Sequence, residues 1–264
     1  MCRWAAWIGQ SIFLEDVVSR PGHSLIVQAR EATKCKTAIN ADGFGLAWYD
    51  GREEPGLYRD VHPAWSDPNL KSLCAQVRSR LFMAHVRAST GTATSRNNCH
   101  PFVVGKWSFM HNGQVGGFEH FRKQADMAIS DTLYSYRKGA TDSEALFLLT
   151  LGEDIESDPV IAMERAVGLM QDMSQRRGQG PNMRLSAALS DGTNLWAFRY
   201  SSDNTVPSMF YRRDEKNGGW AVVSEPLEEA PGWTAIEPGM VARFSDERMD
   251  LIPFRPETSR EIAA

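Results

Sequence analysis

The sequence predicts an α+β domain in which two packed sheets are flanked by helices, and three observations carry that reading. Apolar, strand-like residues begin at the second position, helical periodicity is confined to the middle, and from Met183 onward short strands alternate with turns. Strands at both ends with helices between them suit one layered unit better than two. The length of 264 residues lies between one large domain and two small ones,. No repeat, low-complexity tract or Pro/Gly-rich linker marks a boundary. A single domain over residues 2–256 is expected, with 257–264 as a loose tail.

The elements follow in order. Cys2 to Ile8 is rich in Trp, Ala and Ile and reads as a strand ending at Gly9,. Ser24 to Ala32 reads as a short helix. Gly43 to Tyr49 is a strand turning at Asp50-Gly51 into another around Leu57 to Asp60,. Asp67 to Val77 suits a helix with Pro68 in its first turn. Leu81 to Ala84 with Val86 has the near-continuous apolar run of a strand covered on both faces,, and Trp107 to Met110 repeats it more briefly. Asp142 is the expected N-cap of a helix through Ala145 to Leu149, and Asp158-Pro159 opens a second. In that second helix Val160, Met163, Val167 and Met170 form one apolar stripe,. The strands Leu185 to Leu189, Leu195 to Tyr200, Trp220 to Val223, Met240 to Phe244 and Leu251 to Phe254 are expected to form a meander.

Composition narrows the function. With 42% hydrophobic and 23% charged residues the chain can bury a sizeable core,. Lys+Arg 29 against Asp+Glu 33 leaves a net charge of -4, which argues against nucleic acid and anionic membrane surfaces as partners,. Arg3 followed by Trp4 to Leu14 has the outline of a signal peptide, but Gly9, Gln10 and Ser11 interrupt it and Glu15 and Asp16 follow at once,. No apolar run is long enough for a membrane span. Cys2, Cys35, Cys74 and Cys99 show no disulfide-scaffold spacing, so a reducing cytoplasm is expected,. The six histidines are scattered, which gives no metal site, and no nucleotide-binding glycine motif occurs; no cofactor is expected,.

Four segments carry chemistry. Cys2 gains a free α-amine if Met1 is removed, and that amine, with a reference pKa of about 7.7–8, can take the thiol's proton. Its plain alternative is a small buried residue opening a strand. Arg87, in Ala84-His-Val-Arg-Ala-Ser-Thr-Gly91, lies just past an apolar strand where a guanidinium can grip a carboxylate with two hydrogen bonds,. A surface salt bridge is the plain alternative. In His111-Asn112-Gly113 the Asn amide and the Gly N–H could form a two-donor oxyanion pocket, although Asn-Gly is also an ordinary turn. Asp142 could bind an ammonium, cap its helix, or do both. Asp131, in Ser130-Asp-Thr132, competes for that role less well. Cys99 with a remote His would make a papain-like pair without a supporting local signature.

Taken in this order, Cys2, His85-Val-Arg87 with Ser89-Thr90, His111-Asn112-Gly113 and Thr141-Asp-Ser-Glu144 resemble the class II glutamine amidotransferases of the N-terminal-nucleophile group. Asp42-Gly-Phe-Gly45, Asn98-Cys-His-Pro-Phe102 and Ser224-Glu-Pro-Leu227 are similar to further motifs of that family, and the resemblance spans Cys2 to Phe244. It implies a four-layer αββα sandwich and a pocket for glutamine or a γ-glutamyl compound. In that pocket Cys2 would attack the amide, Asn112 and Gly113 hold the oxyanion, Arg87 the α-carboxylate and Asp142 the α-amine, with Thr90 and His100 beside them. The larger synthases of the family carry a second, ammonia-consuming domain, and none is expected within these 264 residues. The likeness is to the compact stand-alone members, and it leaves space for a separate ammonia-accepting protein. Two other readings stand beside it: a non-catalytic module binding glutamine or a protein, and an N-terminal-nucleophile hydrolase with a different acyl substrate.

Overall fold

Residues Arg3–Phe13 form strand β1, and its side chains alternate between two apolar environments,. Trp4, Ala6 and Ile8 enter one buried cluster, whereas Ala5 and Trp7 enter another. A strand covered on both faces needs the uninterrupted apolar run that opens the sequence. The computed structural model describes residues 2–34, 38–89, 91–177 and 182–257.

β1 does not stop at Gly9 as the sequence suggests. A Cβ on Gly9 would lie 2.3 Å from the Gly219 Cα, so the glycine permits a close backbone approach within the sheet. The strand then continues to Phe13 with a register shift between Ile8 and Ile12,.

β1 pairs with β10 (Gly219–Val223) on one side and β4 (Arg78–Val86) on the other. β2 (Phe44–Tyr49), β3 (Gly56–Asp60), β9 (Phe210–Asp214) and β11 (Thr234–Ala235) complete a seven-stranded antiparallel sheet of order β11-β9-β10-β1-β4-β2-β3. The second sheet contains β5 (Phe102–Val104), β6 (Trp107–Val115), β7 (Met183–Ser190), β8 (Leu195–Ser201), β12 (Met240–Phe244) and β13 (Met249–Pro253). Its order is β13-β12-β8-β7-β6-β5. The expected late meander is therefore wrong: after β8 the chain leaves for the first sheet, lays down β9 to β11 there, and returns for β12 and β13. Alternating strands and turns announce strands, but only partner side chains decide which sheet each joins.

Helices cover the two outer faces. α1 (Glu15–Val18), α2 (Leu25–Glu31) and α3 (Pro68–Gln76) pack through Val17, Leu25 and Leu70 on the seven-stranded sheet. α4 (Phe118–Ala128), α6 (Asp142–Leu151) and α7 (Pro159–Arg176) pack through Phe121, Phe147 and Met163 on the other, and α5 (Asp131–Tyr134) is a short turn between them. Between the sheets Trp4, Ile8, Met83, Met110, Ala188 and Phe244 form the central core. These are the four layers that the resemblance implies.

Local chemistry sets the helix starts. Asp67 caps α3 through the Leu70 N–H at 2.7 Å, and Asp158 caps α7 through the Val160 N–H at 2.8 Å, each followed by the expected proline,. α6 is capped by Thr141, not Asp142: the Thr141 hydroxyl accepts the Glu144 N–H at 3.2 Å. Asp142 stands one residue further in. Near the other end of the described residues, a Cβ on Gly168 of α7 would lie 2.2 Å from the Glu257 carbonyl oxygen, so the backbone at 257 passes close to α7. The rest of the expected tail lies outside the described residues.

Two glycine-bearing segments of the sequence meet in space. A Cβ on Gly45 would lie 2.2 Å from the His100 carbonyl oxygen, and one on Gly43, whose φ is +114°, 2.5 Å from the Cys99 Sγ. Asp42-Gly-Phe-Gly45 and Asn98-Cys-His-Pro-Phe102 thus form one packing contact. Replacing Gly45 with Ala overpacks it and should cost at least roughly 1–3 kcal/mol. Urea unfolding of the variant checks this, with a lower midpoint at unchanged slope as the expected result.

Candidate functional site

The register of β1 against β4 pairs Arg3 with Val86, so the residue before β1 arrives beside the loop that follows β4. There the Cys2 Sγ accepts the Ala88 N–H at 3.4 Å and lies 3.6 Å from the Ala88 carbonyl oxygen. Cys2 is half-buried and lines one wall of a cleft of about 530 Å³, which Arg87, His100, His111, Gly113 and Asp142 also line. Five of the seven residues singled out in the sequence, Cys2, Arg87, His100, Gly113 and Asp142, therefore share one cleft. Asn112 is buried beside it, and Thr90 lies outside the described residues.

Arg87 is 3% exposed, and its guanidinium donates only to neutral oxygens: Thr92 Oγ1 at 2.7 Å, Ser89 Oγ at 3.1 Å and the Asp42 carbonyl at 3.3 Å. Among the described residues it has no carboxylate partner. A buried cation left in this way is a site for an anion. Asp142 on α6 accepts the Val115 N–H at 2.8 Å and the Ser143 N–H at 2.8 Å, and forms no ion pair with a cation among the described residues. One cleft thus presents a cation and an anion, each with capacity for a ligand group of opposite charge.

Asn112 and Gly113 do not make a turn. They lie inside β6, opposite Ser186 and Leu185 of β7. The glycine is demanded by packing: a Cβ there would lie 1.8 Å from the Arg184 carbonyl oxygen and 2.3 Å from the His111 ring. Asn112 is 1% exposed, and neither its side-chain nitrogen nor its oxygen has a hydrogen-bond partner among the described residues. His111 ties β6 to α6, with Nδ1 2.9 Å from Ser143 Oγ and Nε2 3.0 Å from the Arg184 carbonyl.

The histidines that look scattered in sequence converge. The His85 and His100 rings lie tilted against each other with centroids 4.3 Å apart, close to His111, because β4, the segment before β5 and the middle of β6 meet here. Among the described residues, no group of three or more His, Cys, Asp or Glu side chains is arranged to hold a metal ion. Asp131, the competitor of Asp142, opens α5 on another face, and Cys99 is fully buried against the Asp60 and Ser95 carbonyls. No helix among the described residues is long and apolar enough to cross a membrane. Sequence reasoning missed Arg3, which is fully buried; a guanidinium in an otherwise apolar strand was the available signal,.

The family model of the class II glutamine amidotransferases matches residues 22–263. The chain is 30% identical to the probable glutamine amidotransferase DUG3 of Saccharomyces cerevisiae, over 99% of this chain and 86% of that protein. It is 28% identical to the gamma-glutamyl-hercynylcysteine sulfoxide hydrolase of Mycolicibacterium smegmatis, over 96% of this chain and all of that one. The solved structure of a glutamine aminotransferase class-II domain protein from Silicibacter pomeroyi superposes with a TM-score of 0.78 at 49% identity, covering 97% of this chain and 100% of that chain.

Burial sets the charge state behind the cleft. It pushes the His85 imidazole down to about 3, with the Arg87 cation acting in the same direction, and holds His100 and His111 below their ordinary range,. All three rings are neutral at pH 7. Each takes up a proton more readily in the unfolded chain, so stability falls as pH drops below about 6.5. His85 alone accounts for a loss of roughly 2 kcal/mol between pH 7 and pH 5. Calorimetric melting across that interval should show the midpoint falling, and His85→Phe should flatten the fall.

Proposed function

The chain belongs to the class II glutamine amidotransferases, and on that premise we propose that it hydrolyses the side-chain amide of glutamine or a γ-glutamyl compound through a thioester at Cys2. The observation that carries the proposal is the pairing, in one cleft with Cys2, of a buried Arg87 without a carboxylate partner and an Asp142 without a cationic one among the described residues. A free α-amino acid head group carries the two complementary charges. The full-length likeness to a hydrolase whose name specifies a γ-glutamyl compound supports the same substrate class.

The reaction follows from the groups present. Burial pushes the Cys2 thiol up, against the Ala88 N–H and the Arg87 and Arg3 cations, so the resting sulfur keeps its proton at neutral pH,. With Met1 removed, the Cys2 α-amine takes that proton as the sulfur attacks the γ-carbonyl carbon. The oxyanion forms against the Asn112 amide and the Gly113 N–H, which stabilise it more than the neutral carbonyl. The ammonium of Cys2 returns the proton to the departing nitrogen, the C–N bond breaks, and the thioester remains. Water then adds to the thioester carbon, loses a proton to the amine, and releases the γ-carboxylate with the thiol restored. Arg87 and Asp142 hold the α-carboxylate and α-amine throughout, so they contribute mainly to binding.

Steady-state kinetics separates these roles. Arg87→Ala should mainly raise KM, whereas Asn112→Ala should lower kcat by about 10²–10³. Asn112→Ala with kcat within a few-fold of the parent would show that Asn112 serves packing alone. The diazo-ketone analogue of glutamine, 6-diazo-5-oxo-norleucine, should add once, at Cys2, and label found on Cys99 would reject the nucleophile. Because the base must be unprotonated, kcat/KM should rise with pH through about 7–8, the ordinary range of an α-amine. A profile flat across that interval would exclude the amine as base.

A further inference from the structure

On the reading above, on which this inference rests, Cys2 must hold its thiol and α-amine in a fixed relation with no residue ahead of it. Its position is then set by the residue that follows. Arg3 is fully buried, with Nη2 donating to the Lys34 carbonyl at 2.8 Å, Nη1 to the Ser224 carbonyl at 3.4 Å, and Nε 3.3 Å from Glu225 Oε2. Glu225 is 1% exposed and itself fixed from several sides. It receives His23 Nε2 at 2.6 Å, the Thr33 hydroxyl at 2.7 Å, and the N–H groups of Thr33 and Lys34 at 2.9 Å each. One residue on, the Trp4 N–H donates to Ser224 Oγ at 2.9 Å, and the Ser224 N–H returns a bond to the Trp4 carbonyl at 3.0 Å.

We propose that the buried Arg3–Glu225 pair positions the nucleophile. It ties the first residue of β1 to the segment after β10 and to residues 33–34, and so fixes where the Cys2 backbone, and with it the α-amine and thiol, stands against Asn112 and Gly113. A buried ion pair is a poor substitute for apolar packing if stability is its only role. What the planar guanidinium supplies is direction, since its two terminal nitrogens donate to the fixed Ser224 and Lys34 carbonyls while its Nε edge faces the Glu225 carboxylate as an ion pair without a hydrogen bond,. Neither side chain lines the cleft that holds Cys2, so both are positioning residues that act through Cys2. An error of about 1 Å at a reacting group is enough to cost on the order of 10²-fold in rate.

The test uses the double variant Arg3→Met/Glu225→Gln, which removes both charges and strands neither in the interior. The expected result is a kcat at least tenfold lower with KM within threefold of the parent, together with slower alkylation of Cys2 by iodoacetamide, a reagent that needs no glutamine pocket. Should the double variant fail to fold, Arg3→Lys, which keeps the charge and loses the fork, is read the same way. If kcat and the alkylation rate both stay within twofold while only the melting midpoint moves, the pair is structural and the proposal is overturned. A parent protein that turns over neither glutamine nor any γ-glutamyl compound, yet shows the variant's change in iodoacetamide rate, would instead overturn the function and leave the positioning role standing.

Discussion

The constraint on which this molecule depends is that its first strand lies at the centre of a sheet. β1 is fourth of seven, with three strands on either side, and both its faces are buried. That placement explains the apolar opening of the sequence, the glycine where β1 and β10 approach, and the arrival of Cys2 beside the loop after β4. Elsewhere a chain's first residues fray. Here they are braced by hydrogen-bonded neighbours on two sides and by packed layers above and below.

The cleft is built where the strands of both sheets end. β4 delivers Arg87, β6 delivers Asn112 and Gly113, and α6, stacked on the second sheet, delivers Asp142 in its first turn. These pieces are stitched together by short bonds: Val115 to Asp142, His111 to Ser143, and Asn98, which donates to the Ala93 carbonyl and accepts the Ala140 N–H. Arg87, one residue past β4, and Asp142, in the first turn of α6, therefore face the cleft from fixed places, with neutral imidazoles behind them and with Glu119 and Arg122 of α4 lining the same cleft,.

How much of this is legible in sequence depends on whether the cause is local. α3 and α7 announce themselves by Asp-Pro at their starts, β4 by its apolar run, and α7 by the stripe from Val160 to Met170. Sheet membership is not local, which is why β9 to β11 could not be assigned to the first sheet from the spacing of turns. Asn112-Gly113 shows the limit in miniature. The dipeptide is a turn signal by propensity, but pairing with β7 overrides it, and the glycine answers to the Arg184 carbonyl,. The partners of Arg3, and the meeting of His85 with His100 and His111, could not be read for a related reason. Burial of a polar side chain is decided by partners such as Glu225, more than two hundred residues away.

The centrality of β1 also orders events in time. One of its two partners, β10, begins at residue 219, so a ribosome adding about 5–20 residues per second leaves β1 half-paired for on the order of tens of seconds,. Throughout that interval an apolar segment carrying Trp4, Trp7 and Ile8 stays without its second neighbour, open to solvent and to other chains. The β1–β10 pairing spans most of the chain, and contacts of that sequence separation are the kind that slow folding,.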